Sequence, residues 1–213
     1  MRSNAAKTSN DPPQDSRAAI LAAATEEFIE RGLEGVRMEH VAKRACYNKA
    51  LVYKHFKDKP QLFRAVLEAA FTGRRAVLER QPRWLGDAMA TWSEAAFAAP
   101  AYGKLLMREA LDQPGESPVL AEERARYYGE QISGVAEAQA RGRLPGELPP
   151  KYLFLALMSV VCMPAFLPNV TSLVTDQDPS SDAFQQEWRT FLEGFARALG
   201  APAGDSEAAD ADA

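Results

Sequence analysis

Prolines and glycines divide this chain into segments of helical length, and none of the segments carries the two-residue period of a strand. Helical spacing recurs instead. Ser16–Arg31 puts Ile20, Leu21, Ala24 and Phe28 on one face, with Asp15 or Ser16 as its cap and Gly32 as a left-handed stop. Further helices are expected over Lys59–Arg80, Trp84–Ala98, Ala101–Leu111, Pro118–Arg141 and Pro150–Met163, each ending beside a proline or glycine. A last one should start at Asp178-Pro179, an acidic cap followed by proline in the first turn. It carries Phe184, Trp188, Phe191, Leu192, Phe195 and Leu199 as an apolar stripe. The fold expected is all-α, with about nine helices.

Hydrophobic residues make up 46% of 213, enough for the core of one or two compact domains. The two cysteines, Cys46 and Cys162, are too few for a disulfide framework or a paired-cysteine zinc site, and reduced thiols are the simpler reading. The N-terminal residues lack the apolar core of a secretory signal. The longest apolar run, Tyr152–Leu167, contains Pro164 and is short for a bilayer span. A soluble, cytoplasmic protein with no membrane partner is therefore expected. Residues 1–14 read as a disordered polar arm and residues 201–213 as a disordered acidic tail.

The most specific segment is VRMEHVAKRACYNKALVYKHFKDKPQLF, residues 36–63. Met38–Arg44 makes a short helix with Met38, Val41 and Ala42 inward, Ala45-Cys46-Tyr47 makes a tight turn, and Asn48 caps a second short helix, Lys49–Tyr53, anchored by Leu51 and Val52. This is a helix-turn-helix, whose second helix suits a DNA major groove. The charge agrees: from Arg37 to Arg64, eight basic residues against two acids give +6 inside a chain of net charge −4. Neutralising phosphates and releasing their counterions needs such a local excess. Phe56 reads as a core residue and Tyr53 suits either core or surface. His40 reads as an exposed helix residue and Cys46 as a passive part of the turn.

Arg17, Ile20, Leu21, Ala23, Phe28, Gly32, Gly35, Val41, Ala42, Ala45, Leu51 or Val52, Tyr53, His55, Phe56, Lys59 and Leu62 fall in the pattern of the N-terminal signature of the TetR family, which residues 17–64 resemble without a gap. The Tyr-x-His-Phe-x-x-Lys ending is the most specific part. Cys46 stands where the signature has the turn glycine, Asn48 where it has the capping serine, Ala50 where the second helix has glycine, and Arg37 where a serine or threonine opens the preceding helix. A β-carbon at Cys46 disfavours the positive φ that such a turn uses. The resemblance implies a three-helix DNA-binding domain over 15–64 and a helical dimerisation and ligand-binding domain over 65–200. It implies phosphate contacts from Arg37, Asn48, Tyr53, His55 and Lys59, base-edge contacts from Lys49 and Ala50, and either kind from Lys54. Lys49 can donate to guanine O6 and N7, and the Ala50 methyl can touch a thymine methyl.

The resemblance further implies a homodimer on a palindromic operator, released by a small-molecule effector. Two physical features support a dimer. Tyr152–Met163 is apolar almost all round, and the Trp188–Leu199 stripe offers an aromatic face, so Leu155, Trp188, Phe191 and Phe195 are the candidate interface residues, an intramolecular core being the alternative. Trp92, Phe97, Tyr102, Met107, Tyr127, Tyr128 and Met158 are candidate walls for an apolar or aromatic effector, although each also suits ordinary packing. Arg108 and Glu109 are candidate polar contacts to it. The fourth helix, from Lys59, is the expected lever between the domains.

Two other function classes compete. An enzyme finds little support: no glycine-rich phosphate loop or Gly-x-Ser-x-Gly is present, both histidines lie in the basic segment, and no cofactor is implied. Asp176, Asp178, Ser180, Asp182 and Glu187 loosely follow calcium-loop spacing, but Ser181 occupies the glycine position and helix capping explains the acids better. A helical protein-interaction module without DNA binding is the other rival.

Overall fold

The computed structural model describes residues 14–78 and 85–200. The arm expected over 1–14 and the tail expected over 201–213 lie outside them, except Gln14, which opens the first helix, as do the proposed helix ends at Arg80 and Trp84. Ten helices and no strand occur among the described residues. They divide into two compact units, one of residues up to 69 with 105–116, the other of 70–104 with residues from 117 onward.

The first unit begins with α1 (Gln14–Gly35), α2 (Met38–Arg44) and α3 (Lys49–His55). Ile20, Ala24 and Phe28 of α1 are fully buried with Val41 and Val52, and Phe56 is buried beside them. The ring of Phe28 meets Phe63 edge-on at 5.0 Å, tying α1 to α4 (Lys59–Leu78). Helix α1 is broken at Gly32, whose φ of 69° is the left-handed stop expected there, and one further helical turn follows. The C-terminal half of α6 (Pro100–Asp112) also belongs to this unit. Asp112 Oδ2 accepts from the Leu33 backbone N–H at 2.6 Å, and Arg108 donates to the Ile29 and Glu30 carbonyls at 2.9 and 3.1 Å. The helix breaks at Gly32 just beyond these carbonyls, where the guanidinium supplies them with donors. Arg108 is thereby a structural clamp on α1 rather than a contact for an effector. Two helices, α4 and α6, begin in one unit and continue in the other.

The second unit holds α5 (Leu85–Ala98), α7 (Ala121–Ala140), α8 (Pro150–Phe166), α9 (Pro168–Thr175) and α10 (Asp182–Ala198). Its core combines Met89 and Ala96 of α5, Val135 of α7, Leu157, Val161 and Cys162 of α8, and Leu192 and Ala196 of α10. Gly103 of α6 lies directly against the Phe166 ring, where a Cβ would overlap the ring carbons.

Several boundaries differ from the sequence expectation, each for a physical reason. Helix α7 starts at Ala121 rather than Pro118, because Leu120 takes a left-handed conformation (φ 59°) that buries its side chain. Helix α8 runs past Pro164 to Phe166; proline loses one bond in the ladder, but the Leu167 N–H still reaches Met163 O at 2.8 Å. The chain then turns through 90° into α9, a helix the sequence reading did not separate. Helix α10 starts at Asp182, not at Asp178-Pro179. Asp178 spends its carboxylate on the Ser180 N–H and hydroxyl, which hold it below its ordinary pKa, and Ser181 Oγ caps the helix by accepting from Phe184 N–H at 3.2 Å. No single helix among the described residues is long and apolar enough to cross a membrane.

Candidate nucleic-acid interface

Helix α2 ends in a motif that normally requires glycine. The Tyr47 N–H returns to Ala42 O at 3.0 Å and the Cys46 N–H to Lys43 O at 3.2 Å, with Cys46 left-handed at φ 58°. This is the Schellman arrangement, and α7 ends the same way with Gly142 in the left-handed place. The strain foreseen from Cys46 is therefore present, and the turn that aims α3 is built over it.

Asn48 opens α3 with its Oδ1 accepting from Leu51 N–H at 2.8 Å. That leaves its amide N–H groups for an outside acceptor. Val52 is fully buried and Leu51 half-buried, while Lys49, Ala50, Tyr53 and Lys54 lie on the exposed face. Tyr53 is 43% exposed, which removes it from the core. Arg37 is exposed and extended at the entry of α2, where its side chain makes no capping bond.

The remaining basic residues are more engaged than the sequence reading allowed. Lys49 Nζ sits 2.5 Å from Glu39 Oε1 and near the Tyr53 ring, at 5.9 Å from its centroid. The hydrogen bond raises the Lys49 pKa and lowers that of Glu39. Arg44 is gripped by Glu30 through both terminal nitrogens and by Glu27 through Nε at 2.9 Å. Glu27 is 3% exposed and also receives Arg31 Nε at 2.9 Å, so this cluster is a clamp between α1 and α2 rather than part of a phosphate surface. Lys59 Nζ lies 3.5 Å from Glu34 O, at the end of α1. The +6 counted along residues 37–64 omits these α1 carboxylates, which folding brings back onto it.

His55 is half-buried, with Nε2 at 2.9 Å from Ser16 Oγ. Burial, then the nearby charges of Arg17 and Lys54, lower its pKa. A neutral His55 locks the end of α3 to the start of α1 and keeps Nδ1 as its other polar atom. Glu39 on this surface and the buried Glu27 and Ser16 behind it have roles that sequence reasoning missed; Glu39 entered only as a charge to be subtracted, Ser16 only as a candidate cap, and Glu27 not at all.

The comparisons with known proteins divide the chain in the same way, into an N-terminal and a C-terminal part. The profile described as bacterial regulatory proteins, tetR family, matches residues 20–66, and that of the tetracyclin repressor-like C-terminal domain matches residues 86–197. The chain belongs to the TetR family. Among relatives of this TetR-family chain is the HTH-type transcriptional repressor SCO4008 of Streptomyces coelicolor, 25% identical over 81% of this chain and 91% of its own. The HTH-type transcriptional activator FasR of Mycolicibacterium smegmatis is 39% identical over 57 residues, 27% of this chain and 26% of its own. Among solved structures, the regulator SCO4942 of Streptomyces coelicolor superposes with a TM-score of 0.71 at 25% identity, covering 88% of this chain and 99% of its own. The protein is thus a DNA-binding transcriptional regulator and not an enzyme.

The second unit of this TetR-family chain sorts the remaining candidates. Trp92, Tyr102, Tyr127 and Tyr128 join one run of ring contacts: Tyr102 to Phe71 at 5.7 Å, Phe71 to Tyr127 at 5.5 Å, Tyr127 to Tyr128 at 5.7 Å, Tyr128 to Phe154 at 6.3 Å and Phe154 to Trp92 at 6.3 Å. Met158 packs on the core of the same unit. Phe97, although it packs on the same core, and Met107 stand outside this run of rings. Phe97 faces Phe184 at 6.3 Å, because its position on α5 points it to α10, and Met107 falls in the portion of α6 that belongs to the first unit. On the outer face of α8, Leu155 is 62% exposed, with Tyr152 and Met163 also exposed. On α10 the rings of Phe184, Trp188, Phe191 and Phe195 stack in a ladder from the buried Phe184 to Phe191, which is 48% exposed. Trp188 and Phe195 are half-buried against the core.

Proposed function

We propose that this regulator is a homodimeric repressor that holds a palindromic operator through α3 and is released by a small effector bound in the second unit. The observation that carries the DNA half is the capped α3, with Val52 buried and Lys49, Ala50, Tyr53 and Lys54 outward. Such a helix presents its first turn to base edges while the flanking residues meet phosphates. Lys49 and Ala50 choose the sequence; Arg37, Asn48, Tyr53 and, once turned from Glu34, Lys59 supply the grip. His55 contributes chiefly by holding α3 in place.

The dimer reading rests on the exposed apolar faces of α8 and α10, which a monomer leaves in water. A two-fold pair of recognition helices suits a palindrome about one DNA turn between half-sites. Repression follows the name of SCO4008, the relative matched over most of the chain. The effector reading is supported by the ring-lined interior of the second unit and by α4 and α6, which continue from that unit into the first. An effector acts only through a difference in affinity between the two conformations.

Footprinting of the full chain on DNA upstream of its own gene, with sizing by light scattering, tests this reading. A two-fold footprint from a dimer is expected, with Lys49→Ala changing preference among sites and Lys59→Ala weakening all of them. A footprint without two-fold symmetry, or one bound by a monomer, overturns it.

A further inference from the structure

Arg74 of α4 is 5% exposed inside the second unit. Its Nη2 lies 3.7 Å from Cys162 Sγ, a weak acceptor, and its Nη1 is buried with no acceptor among the described residues. No carboxylate of those residues stands within ion-pair distance of it. Burial raises the pKa of the Cys162 thiol, so Cys162 stays protonated and does not neutralise its neighbour. A guanidinium this deeply buried, with Nη1 unmatched among the described residues and Nη2 on a weak sulfur acceptor, is a costly arrangement that a bound anion would relieve.

The surroundings say what that partner is. The guanidinium carbon lies 5.9 Å from the ring centre of buried Tyr102, at one end of the run of rings through Phe71, Tyr127 and Tyr128. The Tyr102 and Tyr128 hydroxyls are 3.4 Å apart, so one phenolic proton serves that contact and the other is left to donate. Burial holds Tyr102 well above its ordinary range, which keeps it a donor, and Arg124 adds a second positive charge near its phenol. Glu130 acts on the neighbouring Tyr127, whose phenol burial also holds above its ordinary pKa.

We propose that the second unit binds an aromatic carboxylic acid, its carboxylate held by Arg74 and by a phenol of the Tyr102–Tyr128 pair, its ring against Phe71 and Tyr127. The carboxylate oxygens accept from the planar guanidinium, the pairing for which arginine is best suited. This deepens the effector reading above from an apolar or aromatic molecule to an anionic one, and it rests on that reading only for the link to operator release.

The test is isothermal titration of the full-length protein with phenylacetate, 3-phenylpropionate, indole-3-acetate and 1-naphthoate, each beside its carboxamide. At least one acid is expected to bind at least tenfold more tightly than its amide. Arg74→Met should remove that ratio, and Arg74→Lys should keep part of it. Without ligand, Arg74→Met should melt no lower than the parent, because an apolar isostere relieves a costly buried charge. Amides binding as tightly as acids, no acid binding at all, or a ratio that survives Arg74→Met overturns the proposal, and so does a Met variant that melts far below the parent. Operator release is read in parallel. Release by amides and acids alike keeps the effector reading and removes the anionic site; acid binding through Arg74 without release keeps the site and removes the effector reading.

Discussion

Glu39 on α2 holds Lys49 on α3, Nζ to Oε1 at 2.5 Å, so the lysine at the mouth of the reading helix is already paired before DNA arrives. A base or phosphate must compete with that carboxylate for the same ammonium. Both side chains are about half exposed, which makes the pair weak and exchangeable rather than a lock. Glu39→Gln is expected to tighten binding to mixed-sequence DNA by about two- to fivefold and to steepen the salt dependence by about one counterion. It should also relax discrimination, because Glu39 no longer fixes where Lys49 points. Titrations at two salt concentrations measure both effects, and unchanged affinity and slope would show that the pair has no influence on DNA.

Cys46 carries a backbone conformation that Gly142 carries at the end of α7. An L-residue there costs about 1–2 kcal/mol, part of which glycine returns through the greater freedom of the unfolded chain. Cys46→Gly should therefore stabilise the protein by about 0.5–1 kcal/mol, and Cys46→Val should destabilise it by at least as much. Denaturant unfolding of the three proteins gives the order, and a glycine variant less stable than the parent contradicts the strain argument.

His55 gives the first unit a pH dependence with a definite sign. Its folded pKa is lowered from 6.5, so the unfolded chain binds the proton more readily than the folded one. The contribution is fully present above the unfolded value and is lost as pH falls below 6.5 toward the folded pKa. The melting temperature should decline across that window for the parent and less for His55→Gln, which can still reach Ser16. Parallel declines in the two proteins would assign the loss to other groups.

Much of this was legible in the sequence because it is local. The helix-turn-helix depends on neighbours within a few residues: the Asn48 cap, the turn at Cys46, the inward Val41 and Val52. Composition and spacing report such relations directly. What the sequence did not show depends on return contacts. Glu27 and Glu30 reach Arg44 from another helix, and Asp112 reaches Leu33 from 79 residues away. For the same reason Arg108, read as a candidate effector contact, turns out to cap α1. Arg74 drew no notice because an arginine in a helix is ordinarily exposed, and only burial distinguishes it.

Gly103 and Phe166 test how tightly α6 and α8 pack. A Cβ on Gly103 would stand 2.0 Å from the Phe166 ring, far inside contact distance. Gly103→Ala should cost about 1–3 kcal/mol by overpacking. Phe166→Leu combined with it should recover part of that cost, since the ring is the obstacle. Thermal unfolding of the single and double variants measures the coupling, and simple additivity of the two losses would show that the contact is not the cause.

Leu155 and Phe191 carry the dimer reading to its sharpest consequence. They are the largely exposed members of two apolar helix faces whose inner sides, Leu157 and Leu192, are fully buried in the core. A charge at Leu155 leaves the buried inner side of its helix in place, and a charge at Phe191 does the same while giving up the ring's stacking on Trp188 and Phe195. In an interface it becomes a buried charge without a partner, opposed by its own copy across the two-fold axis. Leu155→Glu and Phe191→Glu are each expected to raise the dimer dissociation constant by at least 100-fold, and to weaken operator binding because one half-site contact is lost at a time. Circular dichroism should remain that of the parent. A variant that stays dimeric in sedimentation at low micromolar concentration would move the interface to another face, with the outer side of α9, where Leu173 is 87% exposed, next to be charged.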